Sequence, residues 1–159
     1  MTGDDVLAAE FVDSGSGESR EGLQDMSTAE CHALLKLSPL GRAAVMHEGF
    51  PIVLPVNYVI QDELIVFRAR SGGILDASRG SALIAFEIDG FDAASKTGWS
   101  VIVRGTSETV TDAREVERLR ESRLAPWPSG DRPNYIRVQP QEISGRRVDT
   151  SLLPSHWFG

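Results

Sequence analysis

The sequence predicts a mainly β domain with a few short helices, its strands forming one antiparallel sheet that curls closed on itself. Gly41 to Phe67 lays three strand patterns end to end, and a long alternating run follows at Trp99 to Val110. The spacers within the first stretch, Glu48-Gly49 and Gln61-Asp62-Glu63, are too short to hold a crossover helix, so neighbouring runs must pair as antiparallel hairpins. Full closure of such a sheet removes its exposed edges.

Taken in order, Met1 to Asp25 is rich in Gly, Ser and acids and reads as a solvated tail, dispensable for the fold because it offers little apolar surface against the entropy of ordering it. Ser27 followed by Glu30 makes a capping-box pattern, and Cys31, Leu34, Leu35 and Leu37 give an apolar stripe ending at Ser38-Pro39, hence a short helix lying on the barrel. Gly41 to His47 and Pro51 to Ile60 form the first hairpin, and Leu64 to Arg68 the third strand. Ser71 to Gly80 reads as a loop opening a helix. Ala82 to Ile88 is the next strand. In the long strand Trp99 to Val110, Gly105 marks a bend or bulge where a barrel turns a corner. Asp112 to Leu124, with Val116 and Leu119 at helical spacing, is a surface helix, and Asn134 to Val148 a last strand interrupted by Pro140. The chain thus divides into an acidic tail at 1–25, one domain at 26–148, and an aromatic extension at 149–159 containing Leu152, Leu153, Trp157 and Phe158.

Charge excludes some partners. Residues 1–30 carry eight acids against one base, so the whole net charge of -7 resides there, and the remaining body is neutral. A neutral body lacks the clustered basic footprint that phosphate backbones require, which argues against nucleic acid. No run approaches the roughly 20 apolar residues of a membrane span, and the N-terminus lacks the pattern of a signal peptide, so a cytoplasmic location is expected. One cysteine, Cys31, allows no internal disulfide and no multi-cysteine metal site. His32, His47 and His156 are scattered without carboxylate or serine partners at a telling spacing, and no metal or catalytic constellation is read from them.

Packing alone does not explain Asn57 inside an apolar strand, nor Arg68 and Arg70 at a strand end followed by Ser71-Gly72-Gly73. A guanidinium forks phosphate oxygens, glycines let backbone N–H groups approach, and a helix start adds positive potential. Asn57 offers a donor and an acceptor, which the edge of a flavin or pterin requires. Solvated charge is the plain alternative for the two arginines.

From Gly41 to Arg147 the order of motifs resembles the pyridoxamine 5'-phosphate oxidase-like family of FMN-binding split barrels. The matching pieces are Leu40-Gly41-Arg42, Pro55-Val56-Asn57-Tyr58, Val66-Phe67-Arg68, Ala85-Phe86-Glu87-Ile88-Asp89, Thr97-Gly98-Trp99-Ser100-Val101, Val103-Arg104-Gly105 and Ile143-Ser144-Gly145-Arg146-Arg147. The resemblance implies a six-stranded antiparallel split β-barrel, assembled as a homodimer with FMN in clefts at the interface. It would set the isoalloxazine against Pro55, Val56, Asn57 and Tyr58 and against Val66, Phe67 and Arg68. The phosphate would lie near Arg68 and the segment Ser71, Gly72, Gly73, Ile74 and Leu75, and Trp99 and Ser100 would approach from the partner subunit. A homodimer is also expected to cover an apolar face around Val101 and Val103.

One departure concerns the phosphate. Similar proteins carry a lysine just before the leucine of that loop, where this chain has Ile74. Arg70 could substitute, or the site could prefer the deazaflavin F420, and Ile74→Lys is expected to tighten FMN binding. Two functions follow from the resemblance: an FMN-dependent oxidoreductase acting on a small substrate, or a noncatalytic module holding a flavin, F420 or haem.

Overall fold

The computed structural model describes residues 22–69, 73–78, 81–121 and 134–149. Among them are seven strands and three helices: β1 (Leu23–Asp25), α1 (Thr28–Leu37), β2 (Leu40–His47), β3 (Phe50–Gln61), β4 (Leu64–Ala69), α2 (Gly73–Ala77), β5 (Ala82–Asp92), β6 (Thr97–Thr109), α3 (Ala113–Glu121) and β7 (Asn134–Asp149). Every strand pairing is antiparallel, in the order β7-β4-β3-β2-β5-β6, and β6 pairs again with β7. Six strands therefore close into a ring. β1 is added on the outside of β7, Leu23 opposite Val148 and Asp25 opposite Arg146. Three residues assigned to the solvated tail are thus part of the sheet, because a short strand can satisfy its backbone against an available strand edge whatever its composition.

Hairpin geometry follows from local chemistry. His47 faces Phe50 across the two-residue turn Glu48-Gly49, and Gln61 faces Leu64 across Asp62-Glu63. All four turn residues have positive φ, between 50° and 80°, which is the mirror-image turn whose twist matches that of the flanking strands. Only one of the four is glycine.

Gly105 sits where β6 and β7 slip by one residue. Arg104 faces Glu142 while Gly105 faces Pro140, so Gln141 is the extra residue of a bulge on β7. A Cβ on Gly105 would overlap the Gln139 carbonyl oxygen. The glycine is required by close backbone approach.

Alternation puts Ile65, Phe67, Phe86, Ile88, Val101, Val103, Ile136 and Val138 inside the ring, all fully buried. Val101 and Val103, expected around an outward apolar face, are therefore interior residues. The exposed large apolar side chains of these strands are Leu83 and Phe91 of β5 and Ile102 of β6, and β2 and β3 add others, among them Met46 and Val53. The slip lies in which of the two alternating sets faces out, a choice periodicity alone leaves open when both sets contain apolar residues.

α1 begins at Ser27, whose hydroxyl accepts from the Glu30 N–H while the Glu30 carboxylate accepts from the Ser27 N–H at 2.9 Å. The helix buries Cys31 and Leu35, whereas Leu37 lies two residues further round and is exposed. The Cys31 sulfur packs against Gly145 of β7, where an added Cβ would come within 2.5 Å of it. Burial pushes the Cys31 thiol pKa up, the mark of an inert packing residue. α3 lies over β4 and β7, closing a second cluster of Val66, Val110, Leu119 and Tyr135. Arg137 of β7 fixes it there, donating to Glu108 at 2.6 Å and to both carboxylate oxygens of Glu115 at 2.9 and 3.1 Å.

Candidate functional site

β3 and β4 pair only from Tyr58 opposite Phe67 to Gln61 opposite Leu64. Before Tyr58, β3 continues beside β2 alone, back to Phe50, while β4 continues beside β7 to Ala69. The barrel is therefore split where these strands part. Asn57 and Arg68 are the first residues past the last pair, one on each side of the opening.

Asn57 and Arg68 are both half-buried. The Arg68 guanidinium carbon lies 5.6 Å from the centroid of the Tyr135 ring, the residue facing it on β7. Tyr135 is nearly fully buried in the cluster it forms with Val66, Val110 and Leu119, so its ring gives the guanidinium a fixed surface to lie against. Pro55 is exposed on β3, opposite Arg42 of β2. Arg42 in turn donates to Glu87 at 2.9 Å and to Asp89, both on β5. Tyr135 and Arg42 are members of this surface that were not among the site residues expected from the sequence. Tyr135 becomes a neighbour of Arg68 only when β7 closes the ring, and no local spacing signals that pairing.

The other predicted residues divide. Val56, Tyr58, Phe67 and Ile74 point into the core cluster, and Val66 is covered by α3. Their side chains belong to packing, and the surface of the split is presented by Pro55, Asn57 and Arg68. Arg70, Ser71 and Gly72 lie outside the described residues. Gly73 and Leu75 belong to α2, which packs near β2: a Cβ on Gly73 would come within 2.9 Å of Ile52 and 3.2 Å of His47.

Ile74 is 6% exposed and packed among the barrel's interior side chains. Lysine there would put an ammonium into the core, so the expectation that Ile74→Lys restores a phosphate anchor does not hold for this backbone. α2 turns this position inward to plug the barrel end, with Ser78 and Ser107, both fully buried, 3.1 Å apart beside it.

Trp99 and Ser100 stand elsewhere. Trp99 faces Arg147 and Ser100 faces Arg146 near the end of β7, whereas Arg68 faces Tyr135 at its beginning. The intervening stretch of β7 would extend roughly 40 Å at about 3.3 Å per residue. Within the chain the two groups thus stand toward opposite ends of β7.

Tyr58 has a structural task. Its hydroxyl donates to the Leu35 carbonyl at 2.7 Å, tying α1 to β3, and its ring meets Phe86 edge-on at 4.8 Å. Desolvation pushes its pKa up to about 12. A folded-state pKa above the unfolded value near 10 means that this stabilisation is complete below pH 10 and is lost as pH rises from 10 toward 12. Tyr58→Phe is expected to lower stability by about 1 kcal/mol at neutral pH and to flatten that alkaline loss, as urea titrations at pH 7 and 11 would read.

Comparison with known proteins agrees with this architecture. The family model for pyridoxamine 5'-phosphate oxidase matches residues 27–147, and the chain belongs to that family. An uncharacterized protein of Mycobacterium tuberculosis is 26% identical over 138 residues, covering 84% of this chain and 90% of its own length. The structure of an FAD-binding protein from Mycobacterium smegmatis is 32% identical, with a TM-score of 0.65 over 79% of this chain and 98% of its own. An FAD-binding protein from Mesorhizobium loti, 24% identical, shares the fold at a TM-score of 0.70 over 79% of this chain and 98% of that one.

Proposed function

We propose that this chain is a flavin-binding, oxidoreductase-like protein of the cytoplasm. It acts as a homodimer on an unidentified small substrate and holds the flavin at the split between β3 and β4. The observation that carries this reading is the pair Asn57 and Arg68 at the mouth of the split, the guanidinium held over Tyr135. An amide with donor and acceptor suits the polar edge of an isoalloxazine, and a cation held against a fixed ring suits the ribityl phosphate. That phosphate is common to FMN and FAD. FMN is the smaller cofactor that the sequence resemblance implies, and a relative 32% identical is described as FAD-binding.

A bound flavin would supply the hydride and electron chemistry. Asn57 would orient the ring edge and Arg68 would neutralise phosphate charge. Ser100 of a second copy would add a hydroxyl to the same cleft. The dimer reading draws on the outer apolar residues Met46, Val53, Leu83 and Ile102, of which Leu83 is 78% exposed. Ala44 lies between Val53 and Ala85, so Met46, Val53 and Leu83 share one outer face across β3, β2 and β5, while Ile102 of β6 stands opposite Glu87.

The test is direct. Purified protein is expected to show a flavin absorption spectrum, with the mass of the released cofactor deciding between FMN and FAD; a deazaflavin or haem spectrum would overturn the assignment. Arg68→Ala is expected to weaken flavin binding by about 1.5 to 3 kcal/mol with an unchanged fold, the value of a charge-assisted hydrogen bond to phosphate. Equal affinities by fluorescence titration would remove Arg68 from the site. Light scattering at micromolar concentration should give the mass of two chains, and a flavin-loaded monomer would refute the shared cleft.

A further inference from the structure

Phe50 to Val56 reads Phe-Pro-Ile-Val-Leu-Pro-Val, an apolar run without a charge. Among the described residues this part of β3 pairs with β2 alone, and Phe50, Val53 and Leu54 are exposed on it. An uncharged, strand-forming segment with an unpaired edge is a template for another strand. Only its prolines interrupt the pattern. The two hairpin turns show which way each backbone group points. His47 and Phe50 flank a two-residue mirror-image turn, so they exchange both of their hydrogen bonds, and so do the alternate pairs Ile52 with Val45, Leu54 with Ala43 and Val56 with Gly41. The residues between them, Pro51, Val53 and Pro55, direct their backbone groups away from β2 and toward the split. The turn at Asp62-Glu63 gives the same phase independently, since Gln61 bonds Leu64 and Val59 bonds Val66, again the odd-numbered residues of β3 turned to the β4 side. Both prolines therefore occupy positions whose N–H would face the split, where the ring costs no bond to β2. Displaced by one residue, either would remove one.

We propose that Pro51 and Pro55 guard the split, holding it open as a cleft by denying the β3 edge to a strand from a second copy of this chain. An incoming antiparallel strand would seek both an N–H and a C=O from each outward residue. From Pro51 to Pro55 it finds the N–H of Val53 alone, so its own carbonyls would be pressed against the two proline rings without a donor. The chain carries no charge in this stretch to repel such a strand, so exclusion falls to the prolines. The carbonyls of Pro51, Val53 and Pro55 remain as outward acceptors, and a small molecule needs no regular ladder to use one of them. The edge thus rejects a strand and still serves a ligand. The proposal stands whether or not that ligand is a flavin.

The test restores the missing donors in the full chain with the double substitution Pro51→Val, Pro55→Val. Light scattering across a concentration series is expected to show assemblies larger than those of wild type and growing with concentration, with intermolecular strand signal in the infrared amide spectrum. Masses equal to wild type throughout the series, in a protein that still unfolds cooperatively in urea, overturn the proposal. If the double variant does not fold, Pro51→Val and Pro55→Val are measured singly; each is expected to associate more than wild type, and the absence of any increase in both overturns it. A further variant separates the donor from the side chain. With the α-hydroxy acid analogue of valine at positions 51 and 55, an ester oxygen replaces each N–H while the side chain stays that of valine. This protein is expected to keep the wild-type mass. Association of the ester form to the same extent as the valine form would assign the effect to side-chain shape and overturn the proposal.

Discussion

Gly105→Ala is expected to destabilise the fold by about 3 kcal/mol or more, the upper range for overpacking against atoms that cannot move aside. An added methyl would overlap the carbonyl oxygen of Gln139, a backbone atom of the neighbouring strand at the bulge. Relief requires β7 to move away from β6, and that pairing closes the ring. Gly98→Ala is the control. There the nearest atom is the edge of the Phe91 ring at 3.3 Å, a side chain able to rotate, and the loss should stay below about 1 kcal/mol. Urea unfolding of both variants measures the difference, and similar midpoints would mean that the bulge is soft.

Ile74→Lys is expected to cost about 3 kcal/mol or more at neutral pH, from the lost apolar side chain and from an ammonium pressed into the barrel end. The pH dependence identifies the cause. A lysine buried in the folded state has a depressed pKa, so its folded form is penalised wherever the unfolded chain remains charged. The deficit should shrink as pH rises from the depressed value toward 10, with stability relative to wild type recovering. A deficit constant between pH 7 and 10 would indicate that the amine reaches solvent. Flavin affinity should not rise, and a tighter complex with unchanged stability would bring this position back to the phosphate.

Elements were legible in the sequence where local chemistry decides them. The Ser27 and Glu30 cap, the two-residue turns and the Gly105 bulge each follow from residues close together in the chain. What could not be read there was set by closure. The outward set of β6 was misassigned because Val101 and Val103 alternate with Ile102, leaving apolar residues on both faces. Ile74 resembled a position in a binding loop, but α2 turns it inward. Tyr135 is far from Arg68 in the chain and becomes its support only through the pairing of β4 with β7. Leu23 to Asp25 look solvated until the end of β7 gives them a partner.

The role of β7 in closing the ring has a consequence for the order of events during folding. β7 pairs with β4, β6 and β1, and it follows every other described element in the chain. A nascent chain can form the β2, β3 and β4 hairpins and the β5 and β6 hairpin early, yet both sides of the gap must wait as open edges until the final strand has left the ribosome. Such long-range pairing folds slowly and exposes unpaired strands to association in the interval. The step that completes the barrel should therefore limit the refolding rate, and substitutions at the contacts of β7 with β4 should slow refolding more than those within the β2 and β3 hairpin.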